Sequence, residues 1–203
     1  MLGTNLFSAI DWRKPAASPV NAADSYEQGL ALMEQGAHAQ AIEHFKESIR
    51  QGPDPLEAYT QLSSAYLTMG RENDAIKTLS AALKICPTFA DAYKQLGVIY
   101  DSSGKFLDAL KMYMKAIRLN PDDIELRNNL GMAYFNIGSY AEAIKAYQQA
   151  LQMDPANGPA HYSLGLVYLD LNDKKSASEQ QTTLKELGHH DLAGQLLDKI
   201  QGF

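Results

Sequence analysis

The chain has 203 residues, a formal net charge of −6 at pH 7 and a single cysteine. Its basic residues cluster only as pairs, so it does not fit a general nucleic-acid binder, which concentrates basic residues on one surface. One cysteine excludes an intramolecular disulfide, and no apolar run approaches the length that spans a membrane. The N-terminus also lacks the basic and apolar segments of a secretory signal, so we expect a cytoplasmic protein without a transmembrane segment.

Residues 1–21, here called the N-terminal arm, differ from all that follows. Five large apolar side chains fall within eleven positions: Leu2, Leu6, Phe7, Ile10 and Trp12. Their spacing indicates a short amphipathic helix, and the following Pro15 and Pro19 favour an extended tether through Asn21. Two alternatives stay open: a tail without a role, or docking of the arm in its own or a neighbouring chain, which would allow self-association.

From residue 22 onward the sequence repeats every 34 residues without insertion or deletion. Position 8 of each copy is small, position 15 is Gly or Asn, and position 20 is Ala. Gly and Asn are the residues that most easily take a positive φ after a helix end. Positions 4, 7, 8 and 11 form one face of a first helix. A second helix follows, and four copies have a large apolar residue at position 24 and a proline at position 32 that ends this helix.

This pattern resembles the tetratricopeptide repeat, whose 34-residue helix–turn–helix signature carries these residue types at these positions. The resemblance covers residues 22 to about 191. It implies an all-α fold, a right-handed α-solenoid of five repeats: 22–55, 56–89, 90–123, 124–157 and 158–191. Such an array buries its core between neighbouring repeats and needs no single globular core.

The last part of the chain departs from the repeat. Gln181 replaces the large apolar residue of position 24, and His189 stands where the other copies have proline. An apolar stripe then follows: Leu192, Leu196, Leu197 and Ile200. It predicts a helix from about Asp191 to Gln201, so we expect residues 192–203 to form a C-terminal capping helix over repeat five.

No catalytic motif accompanies the repeats. The sequence has no Gly-rich phosphate loop, no nucleophile elbow and no metal-binding spacing of Cys or His. We interpret His189, His190 and Asp191 as a surface turn, because adjacent residues seldom converge on one ion. Neither an enzyme activity nor a cofactor or metal is therefore expected.

A ligand surface is predicted on the first helices instead. Positions 2, 5, 9 and 12 lie on the face of the helix that points away from its packing face. In tetratricopeptide proteins this face lines a concave groove that holds a segment of a partner. With position 6 added, the resemblance implies these groove residues: Tyr26, Leu30, Met33, Gln61, Lys94, Gln95, Asn128, Asn129, Met132, Phe135 and Tyr162. For apolar members of the stripe, especially Leu166 and Leu169, packing within the repeats is the alternative.

Two known groove chemistries can be compared with these residues. The chaperone-cochaperone type binds a C-terminal carboxylate with Lys, Asn and Arg at positions 5, 6 and 9, of which only Lys94 and Asn129 match here. The amides Gln61, Gln95 and Asn129 at position 6 resemble a short form of the amide ladder in the repeat arm of the O-linked sugar transferase. Amides both donate to and accept from a peptide backbone. The catalytic domain of that enzyme has no counterpart in this chain.

The sequence thus predicts a non-catalytic interaction module that binds an extended or helical peptide segment of another protein. A self-assembling structural scaffold is the alternative from another class. A small enzyme is the third possibility.

Overall fold

The computed structural model describes residues 19–202, with side chains from residue 22 onward. In that range the protein has eleven α-helices and no strand. They are α1 (Pro19–Glu34), α2 (His38–Gln51), α3 (Leu56–Thr68), α4 (Glu72–Ile85), α5 (Ala90–Ser102), α6 (Phe106–Leu119), α7 (Ile124–Asn136), α8 (Tyr140–Met153), α9 (Gly158–Asp170), α10 (Lys174–Glu186) and α11 (His190–Gly202).

The helices repeat with the period of the sequence. The first helices α3, α5, α7 and α9 begin 34 residues apart, and so do the second helices α2, α4, α6, α8 and α10. The protein is an all-α solenoid of helical repeats, which confirms the predicted fold class.

The described chain divides into two compact units, and the boundary falls between Leu96 and Gly97, inside α5. In unit 1, residues 19–96, α2 packs against α1 and α3, and α3 packs against α4. In unit 2, residues 97–202, α7 packs against α6 and α8, while α9 packs against α8, α10 and α11. Each unit therefore builds its core from successive helices.

Two residues after the end of each first helix, one residue has a left-handed backbone conformation. These residues occupy position 15: Gly36, Gly70, Gly104 and Gly138, with φ of 70–75°, and Asn172, with φ of 58°. After α7, the Gly138 amide donates to the Phe135 carbonyl at 2.9 Å, and the Ser139 amide donates to the Tyr134 carbonyl at 2.9 Å. These bonds satisfy carbonyls of the last helical turn, as the sequence predicted for this position.

The start of α1 corrects one expectation. The helix begins at Pro19, so the extended tether predicted through Asn21 is wrong for its last three residues. Proline suits the first helical turn, because its fixed φ is helical and its missing amide proton would have had no partner there. The apolar part of the N-terminal arm lies outside the described residues.

The C-terminal helix corrects a second expectation. Leu196 is fully buried in a cluster with Leu169 and Leu184, and Leu192 and Ile200 pack against that cluster. Leu197, predicted to belong to the same stripe, is 39% exposed. The reason is helical geometry: residues spaced by four share a face, whereas Leu197 is turned about 100° from Leu196.

Candidate functional site

Glycines beneath aromatic rings set the rotation of the first helices. In unit 2, a Cβ on Gly131 of α7 would lie 2.7 Å from Cε1 of Tyr147 of α8, and Tyr147 is 1% exposed. Gly97 and Tyr113 repeat this contact in unit 2, as Gly29 and Phe45 do in unit 1. Position 8 faces the second helix, and positions 5, 9 and 12 lie about 60°, 100° and 40° from it around the first helix, which fits the partial burial of the predicted residues there.

The predicted groove residues share one degree of burial. All eleven are half-buried, neither enclosed in the core nor fully solvated. Leu169, at position 12 of repeat five, is instead 2% exposed, and Leu166 packs partly against the same cluster. These two leucines therefore pack within the repeats, the alternative that the sequence left open, and they also border the cleft described below.

In unit 1 the structure brings together two predicted site residues. Tyr26 of α1 makes a side-chain hydrogen bond with Gln61 of α3, and its ring centroid lies 6.0 Å from that of Phe45. Burial and the nearby Glu57 carboxylate raise the pKa of Tyr26, so the phenol stays neutral at physiological pH. Leu30 and Met33 follow Tyr26 along the half-buried face of α1.

Gln95, the central amide of the predicted ladder, is less available than expected. Its Oε1 atom is buried and has no hydrogen-bond partner among the described residues. A buried acceptor of this kind cannot receive a peptide N–H until the side chain turns. Gln61 and Asn129 are half-buried at the same repeat position.

In unit 2, Asn128 has a structural partner at the end of its own repeat. Its Nδ2 donates to Oδ1 of Asn157 at 3.0 Å, and that oxygen also accepts from the Ala160 amide at 3.0 Å. Asn157 caps α9. Asn128 therefore supports a helix N-terminus. The partner lies 29 residues away in sequence, at the last position of the same repeat, 124–157.

A cleft of about 400 Å³ adjoins Phe135, one of the predicted residues. It is lined by Phe135, Leu166, Leu169, Asp170, Lys199 and Gly202. The Phe135 ring centroid lies 5.9 Å from that of Tyr140, whose hydroxyl is 3.2 Å from Oδ2 of Asp170. The cleft thus combines an apolar lining with one carboxylate and one ammonium group.

Three polar residues of this surface were absent from the predicted set. Asp170 follows the last groove position of repeat five, and Lys199 belongs to α11, where no repeat position points to it. Asp101 lies at a groove position itself, and burial raises the pKa of its carboxyl group while the Asn136 amide, 3.5 Å away, opposes that shift. Asp170 and Lys199 lie outside the groove positions of the repeat, whereas Asp101 occupies position 12 and was left out of the predicted set.

The described residues contain no group of three metal-binding side chains. His161 is enclosed, with Nδ1 2.8 Å from Gln180 Oε1 and Nε2 3.0 Å from the Pro155 carbonyl oxygen. His189 Nε2 lies 2.9 Å from the Ala156 carbonyl oxygen, and its ring covers Gly158. Both imidazoles therefore hold loops and helices together. Among the described helices, none has the length and apolar character needed to cross a membrane.

Comparison with known proteins agrees with this architecture. Four family models described as tetratricopeptide or TPR repeats match residues 32–97, 90–123, 112–145 and 132–172. The chain is a tetratricopeptide repeat protein. No curated protein sequence matches this tetratricopeptide repeat protein.

Solved structures share its fold. MamA residues 41-end from Desulfovibrio magneticus RS-1 is 24% identical, with a TM-score of 0.76 over 85% of this chain and 98% of that one. Another MamA structure is 26% identical, with a TM-score of 0.72 over 80% of this chain and 95% of that one. This tetratricopeptide repeat protein is thus an interaction or scaffold module, of a family whose members are in general not enzymes.

Proposed function

We propose that this protein binds a peptide segment of a partner protein on the half-buried face of its first helices. The cleft beside Phe135 is the observation that carries the proposal. Its volume of about 400 Å³ falls within the range of ligand pockets, and its lining is mostly apolar. An apolar side chain of the peptide fills the cleft, while the Asn129 amide, on the same helix as Phe135, binds its backbone.

The amides in this proposal are Gln61, Gln95 and Asn129. Asn129 lies in unit 2, on the same helix as Phe135, and so serves the same bound segment. Gln61 and Gln95 lie in unit 1, where Tyr26, Leu30 and Met33 supply the apolar side chains. Lys94, Met132 and Tyr162 complete the proposed contacts. Asn128 acts indirectly, by holding the cap of α9.

The test uses 16-residue peptides selected from a random phage-displayed library against the full chain. Phe135→Ala is expected to weaken the selected peptide at least tenfold, because aromatic anchors in pockets dominate peptide affinity. Asn129→Ala and Gln95→Ala should each weaken an extended ligand while leaving the helical circular dichroism unchanged. Calorimetry measures each affinity.

Leu187→Ala is the matched control, because Leu187 is 40% exposed and does not line the cleft. The proposal fails if Phe135→Ala and Leu187→Ala bind the selected peptides equally well. It also fails if peptides that bind are insensitive to every variant of the first helices.

The self-assembling scaffold is the second candidate function, and the apolar sequence of the N-terminal arm favours it. In that case residues 1–18 join one copy of the chain to another. Light scattering across a concentration series separates the two functions, because a module without its partner stays monomeric. The cytoplasmic location stays a prediction from the sequence.

A further inference from the structure

The outer side of α6 carries a row of alternating apolar and basic side chains. Leu107, Lys111, Met114 and Arg118 follow one another at intervals of four, three and four residues, so they share one face of the helix. We call these four residues the α6 outer row. Leu107 is 64% exposed, more than any other large apolar side chain reported for the described residues, and Met114 is 42% exposed.

The equivalent positions in neighbouring repeats show that packing does not require these apolar side chains. Where α6 has Leu107 and Met114, α4 has Asn73 and Ser80. At the same positions α8 has Ala141 and Gln148. The repeat therefore folds with polar or small residues there, and the exposed Leu107 and Met114 call for another explanation.

The charge of α6 also differs from that of the other second helices. It contains three basic residues, Lys111, Lys115 and Arg118, and one acidic residue, Asp108, within a chain of net charge −6. Charges balance within α2, within α4 and within α8. Lys111 Nζ lies 2.9 Å from Asp108 Oδ1, with 68% and 50% of the two side chains exposed. An exposed pair of this kind contributes little to stability, so the ammonium group is readily available to a partner.

We propose that the α6 outer row binds an acidic amphipathic helix of a partner protein. Leu107 and Met114 are seven residues apart, about 10.5 Å along the axis, which matches the spacing of successive heptad positions on a facing helix. Acidic residues beside the partner's apolar stripe then pair with Lys111 and Arg118, and with Lys115 at the edge. A lipid surface fits less well, because Lys111 interrupts the apolar row and no aromatic side chain lies on it.

The test uses a synthetic 21-residue peptide of three heptads, with Leu at positions a and d and Glu at positions e and g. A matched peptide carries Lys in place of every Glu. Fluorescence polarisation with the full chain is expected to detect the acidic peptide only. Leu107→Asn combined with Met114→Ser introduces the residues that α4 has at these positions, so the fold is retained. This double variant should bind the acidic peptide at least tenfold more weakly.

Lys111→Gln and Arg118→Gln should each weaken binding and flatten its dependence on salt. Lys145→Gln, at the position of α8 that matches Lys111, is the control and should bind like the unmodified protein. Equal binding of both peptides overturns the proposal, as does undiminished binding by the double variant. Binding to vesicles containing anionic lipid, without binding to the acidic peptide, overturns it in favour of a membrane surface.

Discussion

At the scale of single residues, the glycine at position 8 is required because a side chain would not fit there, and not because of its backbone conformation. Gly131 lies under the Tyr147 ring, and the site would have no room for a methyl group. We expect Gly131→Ala to lower the free energy of unfolding by about 1–3 kcal/mol, the usual cost of overpacking. Urea unfolding followed by circular dichroism measures the change.

Gly138 provides the contrasting variant. It has a φ of +75°, and nothing lies within 4 Å of a Cβ built there. Asn172 occupies the same repeat position with a φ of 58°, so the turn accommodates Asn. Gly138→Asn should therefore cost less than about 1 kcal/mol. If Gly138→Asn lowers the free energy of unfolding more than Gly131→Ala does, this interpretation is wrong. It holds that Gly131 is required because a side chain has no room there, and Gly138 only because of its positive φ.

The phenol of Tyr147 makes stability depend on alkaline pH. Burial, with a smaller effect of Asp101, raises its pKa to about 12, although a hydrogen bond with Ser163 acts in the opposite direction. An unfolded tyrosine ionises near pH 10. The unfolded state therefore loses its proton first as pH rises, and the free energy of unfolding should fall by about 2–3 kcal/mol between about pH 10 and 12.

Urea unfolding of the unmodified protein and of Tyr147→Phe across this range isolates the effect. The variant should lose less stability with rising pH, because Phe cannot ionise. Burial also raises the pKa of Tyr113, so some alkaline loss remains in both proteins. Parallel curves for the two proteins would show that Tyr147 is not responsible.

At the scale of elements, α11 is expected to stabilise unit 2 mainly through one side chain. Leu196 is fully buried and lies over Gly165, where a Cβ would be 2.5 Å from its Cδ2. Leu196→Ala should destabilise the protein by about 2–5 kcal/mol, as cavities in packed cores do. Leu197→Ala, one residue on and 39% exposed, should change stability by less than about 0.5 kcal/mol.

Thermal unfolding of both leucine variants checks this prediction. Removal of residues 192–203 is expected to expose the cluster around Leu169 and Leu184 and to cause aggregation. Equal effects of the two leucine variants would mean that α11 does not use the buried face seen here.

At the scale of the whole molecule, the repeat period predicts most of the fold. Helix packing, turns and helix ends all recur with this period, so the weak sequence signals of the five repeats reinforce one another. Pro19 misled the prediction because proline both favours extended chain and suits the first turn of a helix. Leu197 was misassigned because an apolar residue beside a buried face looks the same in sequence as one on it.

The candidate site was less predictable than the fold, for a physical reason. Burial of the predicted residues follows from helix geometry, which the period determines. The bond from Asn128 to Asn157 and the presence of Lys199 beside Phe135 depend on contacts between different helices. Lys199 lies in α11, which follows the fifth repeat, so the 34-residue period carried no signal for its contact.

The contact between Leu196 and Gly165 also limits how the array could lengthen by duplication. In three other copies an aromatic ring from the same repeat covers the glycine at position 8. Duplication of such a copy therefore also duplicates the side chain that covers its glycine. Repeat five lacks that ring and uses α11 instead. A copy inserted after α10 would separate Leu196 from Gly165, whereas one inserted before α9 would leave the pair intact. We therefore expect this chain to tolerate duplication of a repeat before α9 and not between α10 and α11.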